Sequence, residues 1–544
     1  MPLTKVTYSM IQDDIVNVMD YGAVGDGVTN DWEACQRAVD AVQSTGGTVI
    51  FPAGYTFRIV GNTIMIWGKN VNLIGYGATL YKDADGASAG NYGDALTIFG
   101  KINGVEYYSP EFGGTYATRV LYTGSTVPSV NINIEGFTVT FGTHATDSIN
   151  GISGVNLEHV TIKNCVVQGA TQTAFAFIAT YGTGLTHLTL ENCLSDGAGM
   201  QGFRLNSYND FLGVSGEIFA KLINCRTENT QLTTAVPFPD QYGLPSSAYV
   251  RASGDNKQFQ VSFDNCQFDQ TVHLLDGYRT TSFRNCRFHF VFALAANPEA
   301  ALMFDNCQFR NFDAAVGFGG VDSQLFARNT SDEKSVITVK NCTFETPAAG
   351  DYGIYNRGFD IDVSDCMGET TVYSLDIGAE QPSVSIKNCQ LKNPGSSPIE
   401  LAGKNISLSQ NLVYSPINII QPGAKSVTVQ DNRFVVDVSF TSYCVVVTNG
   451  NVVAVNNTIE YTNNSYATVL VAPITNTLVK ANQYLYDNGT QISYDETYGT
   501  AAPSTGYWQR SSRVIQSQPS SGQPKAFVCT VAGAPGTWVS EGNL

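Results

Sequence analysis

Apolar and polar residues alternate in short runs along most of the chain, as in VTIKNCVV at 160–167 and VTVQDNRF at 427–434. A period of two is the pattern of a β-strand that buries one face. A second short apolar run, such as PIELA or PINII, follows many of these segments. The pattern predicts two or three short strands in each repeat and an all-β protein in which like residues stack between parallel coils.

A recurrent corner follows the first strand of each repeat. Nine of the twelve cysteines stand directly after an asparagine, or after Asp365 in one case. These cysteines are Cys165, Cys193, Cys225, Cys266, Cys286, Cys307, Cys342, Cys366 and Cys389. We interpret Asn411, Asn432, Asn457 and Asn482 as the continuation of the asparagine series. Most spacings lie between 20 and 25 residues and the longest is 41, which predicts a solenoid with loops inserted on some coils.

The residue types at this corner suit a tight turn. Asparagine tolerates a left-handed backbone, and its amide can bond the asparagine of the next coil. The adjacent cysteine is interpreted as a small buried side chain, because zinc sites need paired Cys or His ligands at close spacing. We therefore predict reduced thiols and no metal site.

Residues 30–45 are predicted to form an amphipathic helix. Asn30 and Glu33 have the spacing of a capping box, and Gly46 follows the last turn. The apolar face consists of Trp32, Cys35, Ala38, Val39 and Val42. Since a solenoid exposes apolar side chains at its end, we expect this helix to cap the first coil. The glycine-rich stretch before it, residues 20–31, lacks the spacing of a phosphate-binding loop and is interpreted as a turn.

Charge and hydropathy exclude several classes of partner. With 30 Lys and Arg against 47 Asp and Glu the net charge is −17, which disfavours binding to nucleic acid or to an anionic membrane. No run of 18 apolar residues occurs, and the N-terminus has no apolar segment of signal-peptide length. We expect a protein that is synthesised in the cytoplasm without a signal peptide.

Two stretches near the N-terminus resemble a known family. Residues 16–42, VNVMDYGAVGDGVTNDWEACQRAVDAV, and residues 46–59, GGTVIFPAGYTFRI, are similar to the start of pectate-lyase-like parallel β-helices, which occur in polygalacturonases, pectate lyases and phage tailspikes. LTKVTYSMI at 3–11 resembles the neck of phage tailspikes, and FVCTVAGAPGTWVSEG at 527–542 resembles one of their C-terminal elements. The chain has no GHG or RIK stretch and no dense Asp cluster, which disfavours polygalacturonase and the calcium site of pectate lyase.

The resemblance to tailspikes implies a homotrimer of single-stranded, right-handed parallel β-helices, here with about 12–14 coils by the spacing of the repeat. It further implies a virion protein of the phage tail that binds and depolymerises a bacterial capsule or O-antigen. Residues 1–14 would be a neck that attaches to the tail or to another tail protein. Residues 15–488 would be the β-helix, and residues 489–544 a small terminal or trimerisation domain.

Hydrolysis of a glycosidic bond needs two carboxyl groups about 5–9.5 Å apart and no cofactor. We aligned the second strand of each repeat by its inward apolar residues to find such a pair. The outward row of this alignment reads Arg251, His273, Ala293, Gly317, Tyr355, Asp376, Glu400 and Asn418. Asp376 and Glu400 are therefore the predicted catalytic pair on neighbouring coils, and Asp276 is a further candidate acid.

Substrate-binding residues are predicted near the coils with long insertions. The insertion at 233–245 carries Asp240 and Tyr242. The other candidates are Arg204, Tyr249, Arg251, His273 and Tyr355. Aromatic faces stack on sugar rings and Arg pairs with acidic sugars. Two alternatives stay open: a lyase on a uronate polymer, with His273 beside Arg251, and a non-catalytic receptor-binding adhesin.

Overall fold

The computed structural model divides into two compact units, Met1–Ala300 and Ala301–Leu544. Within them the structure describes residues 15–83, 94–104, 106–107, 120–142, 149–179, 185–207, 217–230, 246–252, 259–276, 280–295, 300–310, 323–329, 335–345, 352–368, 372–375, 382–392, 399–415, 417–419, 426–436, 443–447, 451–461, 468–471, 477–486, 491–494, 496–504, 508, 510–533 and 535–544. All structural statements below concern these residues.

The first unit consists of three sheets of parallel strands, which we name A1, B1 and C1. Sheet A1 contains Ile15–Asn17, Gly47–Ile50, Lys69–Ile74, Ser129–Glu135, Leu157–Lys163, Leu185–Glu191, Glu217–Ile223, Phe259–Asp264 and Thr280–Arg284. Sheet B1 contains Asp26–Asn30, Thr56–Val60, Thr79–Asp83, Thr138–Phe141, Val166–Gln168, Leu194–Asp196 and Arg226–Glu228. Sheet C1 contains Ile64–Ile66, Leu96–Phe99, Ile152–Val155, Thr173–Ala179, Gln201–Ser207, Ser246–Ala252, Thr271–Asp276 and Phe290–Ala295.

The second unit repeats this arrangement in sheets A2, B2 and C2. Sheet A2 contains Ala301–Asp305, Val336–Lys340, Asp360–Ser364, Ser383–Lys387, Asn405–Ser409, Ser426–Gln430, Asn451–Val455 and Thr477–Lys480. The short strands on side B2 are Gln308–Phe309, Thr343–Phe344, Met367–Gly368, Gln390–Leu391, Leu412–Val413, Arg433–Val436, Thr458–Tyr461, Gln483–Tyr486 and Gln491–Tyr494. Sheet C2 contains Ser323–Asn329, Tyr352–Arg357, Val372–Leu375, Ile399–Leu401, Ile417–Ile419, Tyr443–Val447 and Thr468–Val471.

In both units the chain visits the three sheets in the order A, B, C and then begins the next coil. Successive strands of one sheet pair in parallel, as Leu157–Lys163 does with Leu185–Glu191; the exception is Gln491–Tyr494, which pairs antiparallel with Gln483–Tyr486. Like residues consequently stack inside the coils: the rings of Phe263 and Phe283 are nearly parallel, with centroids 4.7 Å apart. The predicted all-β, parallel coil architecture is confirmed, whereas its handedness and the trimer stay predictions.

The corner between the first two sheets is held by two columns of residues. Asn164, Asn192 and Asn224 all have φ near +53°. The side-chain amides of Asn192 and Asn224 each donate to the asparagine of the preceding coil, both at 3.0 Å, and that of Asn164 donates to the Tyr76 hydroxyl at 2.8 Å. The residue after each asparagine points inward. In the first unit this inward residue is a buried cysteine, whose Sγ lies 3.5 Å from a strand carbonyl in the case of Cys225 and Leu190.

One prediction about this corner is wrong. In the last coils the left-handed residues are Gln410, Asp431, Asn456 and Ala481. Asn411, Asn432, Asn457 and Asn482 instead occupy the inward position that cysteine fills in earlier coils. Asn432 is buried. Its Nδ2 donates to the carbonyl of Leu408 at 3.0 Å and to Asn457 Oδ1 at 3.1 Å, so the asparagine series changes slots where the cysteines end.

Helix α1, Trp32–Gln43, lies within the predicted range and buries the predicted apolar face. Its N-cap is Asp31 rather than Asn30, so the predicted capping box is not formed, and Glu33 pairs with Arg37 at 2.7 Å. Gln36 bonds both the N–H and the carbonyl of Met65 at 2.7 and 2.9 Å. Because Met65 belongs to the first strand of C1, the helix satisfies backbone groups at the open end of that sheet.

The glycine-rich stretch before α1 is a turn around a buried carboxylate. Asp31 accepts hydrogen bonds from the N–H groups of Val24 and Gly25 at 2.6 and 3.0 Å. Gly22, Gly25 and Gly27 have positive φ values, which glycine adopts without steric penalty. The stretch therefore positions the helix, as its sequence indicates.

The end of the second unit is a separate four-stranded sheet of Glu496–Gly499, Arg513–Gln516, Ala526–Val531 and Thr537–Ser540. Trp508, Val514 and Cys529 form its buried cluster, and Trp538 packs edge-on against Trp508 with ring centroids 5.1 Å apart. No helix of the described residues is long and apolar enough to cross a membrane.

Two substitutions at equivalent corner positions test the change from cysteine to asparagine. Asn432→Ala removes the acceptor of the Asn411 N–H and the donor to the Leu408 carbonyl and to Asn457 Oδ1, and is expected to lower the free energy of unfolding by about 3 kcal/mol or more. Cys366→Ala removes only one small side chain with weak S–H bonds and should cost about 1–2 kcal/mol. The thermal unfolding midpoints of the two variants measure which substitution is more destabilising. Equal midpoints would contradict a structural role for the asparagine column.

A buried lysine in the first unit predicts a pH dependence. Lys82 is 1% exposed, and burial lowers its pKa from the usual 10.5 to about 8, against the opposing attraction of Asp94 and Asp83. The unfolded chain therefore holds more protons between these two values, so the contribution of Lys82 to stability rises with pH from about 8 and is lost as pH falls through 8.

The measurement is the thermal midpoint of wild type minus that of Lys82→Met at several pH values from 8 to 10. We expect the difference to shift in favour of wild type by a few degrees as pH rises. The same comparison with Lys404→Met, an exposed lysine, serves as the control. A difference for Lys82→Met that stays constant over this range would refute the prediction.

Candidate functional site

Three of the predicted binding residues come together on the outer face of sheet C1. The register pairs Arg204 with Tyr249, and Tyr249 with His273. The guanidinium carbon of Arg204 lies 5.9 Å from the centroid of the Tyr249 ring, and the rings of Tyr249 and His273 lie 6.3 Å apart at 70°. Because the flanking residues on each strand point into the coil, the three side chains form one row across adjacent strands.

This row is more buried than its position on an outer face predicts. His273 is 0% exposed and Tyr249 is 4% exposed, and Phe292 continues the row on the next strand. Arg204 is half-buried. In the amide orientation that satisfies both groups, its Nε and Nη2 donate to the side-chain oxygen of Asn206 at 2.7 and 3.0 Å. His273 therefore lies on the outer side of its strand, as the aligned row predicts, but its side chain is fully buried.

The predicted outward row mixes neighbouring rows of the sheet. Arg251 pairs with Asn206 and Leu275, two positions along the strand from the pairing of Tyr249 with His273. Ala293 pairs with Leu274 in an inward column. A shift of two residues changes the row and preserves the face, as for Arg251, whereas a shift of one residue exchanges the faces, as for Ala293.

Glu400 and Tyr355 lie on sheet C2. Glu400 is half-buried between Ile399 and Leu401, which are both fully buried, and it pairs with Asn418 as the aligned row places it. Tyr355 is 7% exposed and stacks on Phe326 with ring centroids 5.0 Å apart. Glu400 therefore presents its carboxylate from the outer face of a strand whose other side chains fill the interior.

The remaining predicted site residues cannot be placed in this way. Asp376, Asp240 and Tyr242 lie outside the described residues, as does Gly317 of the aligned row. Asp276 ends a strand of C1 and pairs with Ala252 and Ala295. Since Ser374 pairs with Leu401, the register places Tyr373 beside Glu400, in the position that the aligned row gives to Asp376. No group of three or more potential metal ligands occurs among the described residues.

A surface that the sequence analysis does not predict lies on the outer face of sheet A1. It is a groove of about 340 Å³ between neighbouring strands. Its lining includes the side chains of His187, Phe219, Lys221, Gln260, Ser262 and Thr280. These residues stand at the outward positions of ordinary alternating strands. Each strand alone therefore resembles solvated surface, and the groove is recognised only from the rows that cross several strands.

Comparison with known proteins agrees with the fold. Residues 15–215 match the family described as rhamnogalacturonase A/epimerase, pectate lyase-like. This part of the chain is similar to pectate-lyase-like proteins. The chain is also similar to the tail spike protein of Shigella phage Sf6, at 31% identity over 145 residues, which make up 24% of this chain and 21% of that protein. The resemblance to pectate-lyase-like proteins and phage tailspikes is thus confirmed.

Other similar proteins are named mannuronan C5-epimerase or alginate lyase. Mannuronan C5-epimerase AlgE1 of Azotobacter vinelandii is 38% identical over 93 residues, which cover 16% of this chain and 7% of the epimerase. Among solved structures, a mutant tailspike protein of E. coli bacteriophage HK620 in complex with a hexasaccharide matches 98% of this chain and 91% of its own, with a TM-score of 0.50 and 13% identity. The chain therefore spans about a fifth or less of the length of the curated relatives that it matches. It shares a fold with the HK620 tailspike protein over nearly all of its own length.

Proposed function

We propose that the protein is a phage tailspike that binds a bacterial surface polysaccharide, capsule or O-antigen, and cleaves it as an endo-acting glycoside hydrolase. The observation that carries the proposal is the sequence similarity to the Sf6 tail spike protein on a chain of parallel coils. Polysaccharide-acting names also recur among the other relatives. A tailspike would place the protein in the virion, where it would attach to the tail through its N-terminal segment.

The proposed chemistry needs one carboxylic acid to protonate the leaving oxygen and one carboxylate to activate water or attack the sugar. Glu400 supports one of these two roles, because it lies on the outer side of its strand between two inward residues. Asp376 remains the proposed partner, and Asp276 the further candidate. Hydrolysis by such a pair requires no metal ion or cofactor.

The proposed homotrimer has support at the C-terminal sheet. Tyr498 and Val539 are 71% and 55% exposed and lie on one face of this sheet with Val528. Arg513 on that face pairs with Glu541 at 2.5 Å, so the apolar side chains surround an internally neutralised ion pair. A sheet face of this composition is suited to burial against other copies of the chain.

A specific observation favours the lyase as the second candidate. The relatives include alginate lyase 7 of Azotobacter vinelandii, 41% identical over 78 residues, and its name indicates a uronate polymer as substrate. In the row of Arg204, Tyr249 and His273, the half-buried Arg204 offers a guanidinium for a uronate carboxylate. Tyr249 and His273 are buried, so a lyase at this row would need them to become exposed before they transfer a proton. A lyase at this row would not need Glu400.

Digestion of a panel of bacterial capsules and O-antigens, with products identified by mass spectrometry, tests the hydrolase. We expect oligosaccharides heavier by one water per cut. Asp376→Asn combined with Glu400→Gln should lower kcat by about a thousandfold or more while leaving polymer binding intact. Asp362→Asn, an exposed acid of sheet A2, is the matched control. Cleavage that survives the double substitution would refute the carboxylate pair.

Arg204→Met separates the two reactions. In a lyase that holds a uronate at Arg204, this substitution should abolish products with an unsaturated uronate, which absorb in the ultraviolet, whereas Glu400→Gln should not. In the proposed hydrolase we expect water-added products to persist, with KM raised about tenfold for an acidic polymer. Arg328→Met, at an exposed arginine of sheet C2, controls for the loss of charge. Binding without cleavage of any polymer would favour an adhesin.

A further inference from the structure

The groove on sheet A1 is bounded on one side by a column of stacked rings. The rings of His159 and His187 lie 4.7 Å apart and 1° from parallel, and those of His187 and Phe219 lie 5.3 Å apart at 24°. The next two positions of this row are Gln260 and Thr280. The ring column therefore ends at Phe219, and the side of that ring away from His187 is directed toward strands with non-aromatic side chains.

The first ring of the column is held in an uncommon backbone conformation. His159 has φ +55°, a value that Asn adopts far more readily than most residues. Its strand pairs with Ser129–Glu135, in which Asn131 has φ +54° and donates to Asn70 at 2.9 Å. Histidine is among the residues enriched at positive φ, so this position accommodates the ring that begins the column.

The floor of the groove is polar but contains no carboxylate. A second row beside the ring column pairs Thr189 with Lys221, Lys221 with Ser262, and Ser262 with Ser282. Hydroxyl groups can both donate and accept hydrogen bonds, as the hydroxyl groups of a sugar require. In a chain of net charge −17, the lining carries the ammonium of Lys221 and no acidic side chain.

We infer that this groove is a non-catalytic binding site for one pyranose unit of an acidic polysaccharide. The C–H face of the sugar stacks on Phe219, since the negative face of an aromatic ring attracts polarised C–H groups. The hydroxyls bond the side chains of Gln260, Ser262 and Thr280, and an acidic substituent pairs with Lys221. The absence of a carboxylate among the lining residues excludes the two-acid chemistry proposed for Glu400 and Asp376.

The inference rests on the proposed function, because the ligand is the surface polysaccharide itself. A site on sheet A1 and a separate site on a C sheet would hold one polymer chain at two places. Linking two weak sites on one polymer raises the overall affinity through the high effective concentration of the second contact. The groove would thus keep the polymer attached after each cut.

The test measures binding to an array of bacterial capsule and O-antigen fragments, in the Asp376→Asn, Glu400→Gln background so that the ligands are not consumed. Phe219→Ala is expected to weaken binding to the recognised glycan about five- to tenfold. Lys221→Met should weaken binding to acidic glycans and reduce its salt dependence. Met303→Ala, which removes an exposed apolar side chain from a strand of A2, should change nothing.

The outcomes separate this inference from the proposed function. If the parent protein binds no glycan, the proposed function fails. If the parent binds and Phe219→Ala binds equally well, the groove is not a sugar site and only this inference fails. Sedimentation of the same variants identifies the other occupant: a changed oligomeric state with unchanged glycan binding would assign the groove to contact with a second copy of the chain and overturn the inference.

Discussion

The coils from Asn164 onward depend on how their backbone turns from the first sheet to the second. A residue with φ near +55° makes this turn, and L-residues other than Asn or Asp rarely adopt such a value. The side-chain amide offsets part of the strain by bonding the neighbouring coil, as Asn265 does to Asn224 at 2.7 Å. Since each corner is aligned with the next, strands of one sheet keep a fixed register and residues of one kind stack at about 4.8 Å. The interior columns follow from that alignment.

This part of the fold could be predicted from the sequence because the corner has a characteristic pair of residues and the strands have a period of two. The sequence did not predict that the asparagine moves from the turn position to the inward position at Asn411. An asparagine that forms the turn and one that points inward cannot be distinguished by residue type. The structure distinguishes them by φ: Gln410 is left-handed, and Asn411 donates to the carbonyl of Ile386 at 2.9 Å. The helix was predictable from its apolar face, but its N-cap was not, because Asp31 is engaged by the turn before it.

The candidate site was less predictable for a geometric reason. Arg204, Tyr249 and His273 were identified by chemistry, and their grouping on C1 agrees with it. Arg251 was assigned to the wrong row because loops of different length separate the corner from the third strand, so no fixed count links one coil to the next. The burial of His273 could not be predicted from the sequence either. The alternation around it identifies an outer position but does not indicate whether the side chain there is buried or exposed.

Parallel stacking gives the outer faces the same one-dimensional order as the interior. Inside, it places Phe263 on Phe283; outside, it places His159 on His187 and His187 on Phe219. A polysaccharide is also a one-dimensional repeat, and a pyranose ring is about as wide as the spacing between neighbouring strands. A face that repeats along the coils can therefore contact several sugar units without any insertion, whereas a catalytic pair needs two particular carboxylates at one place. This difference explains why binding surfaces arise readily on such a scaffold and why the reaction depends on few residues.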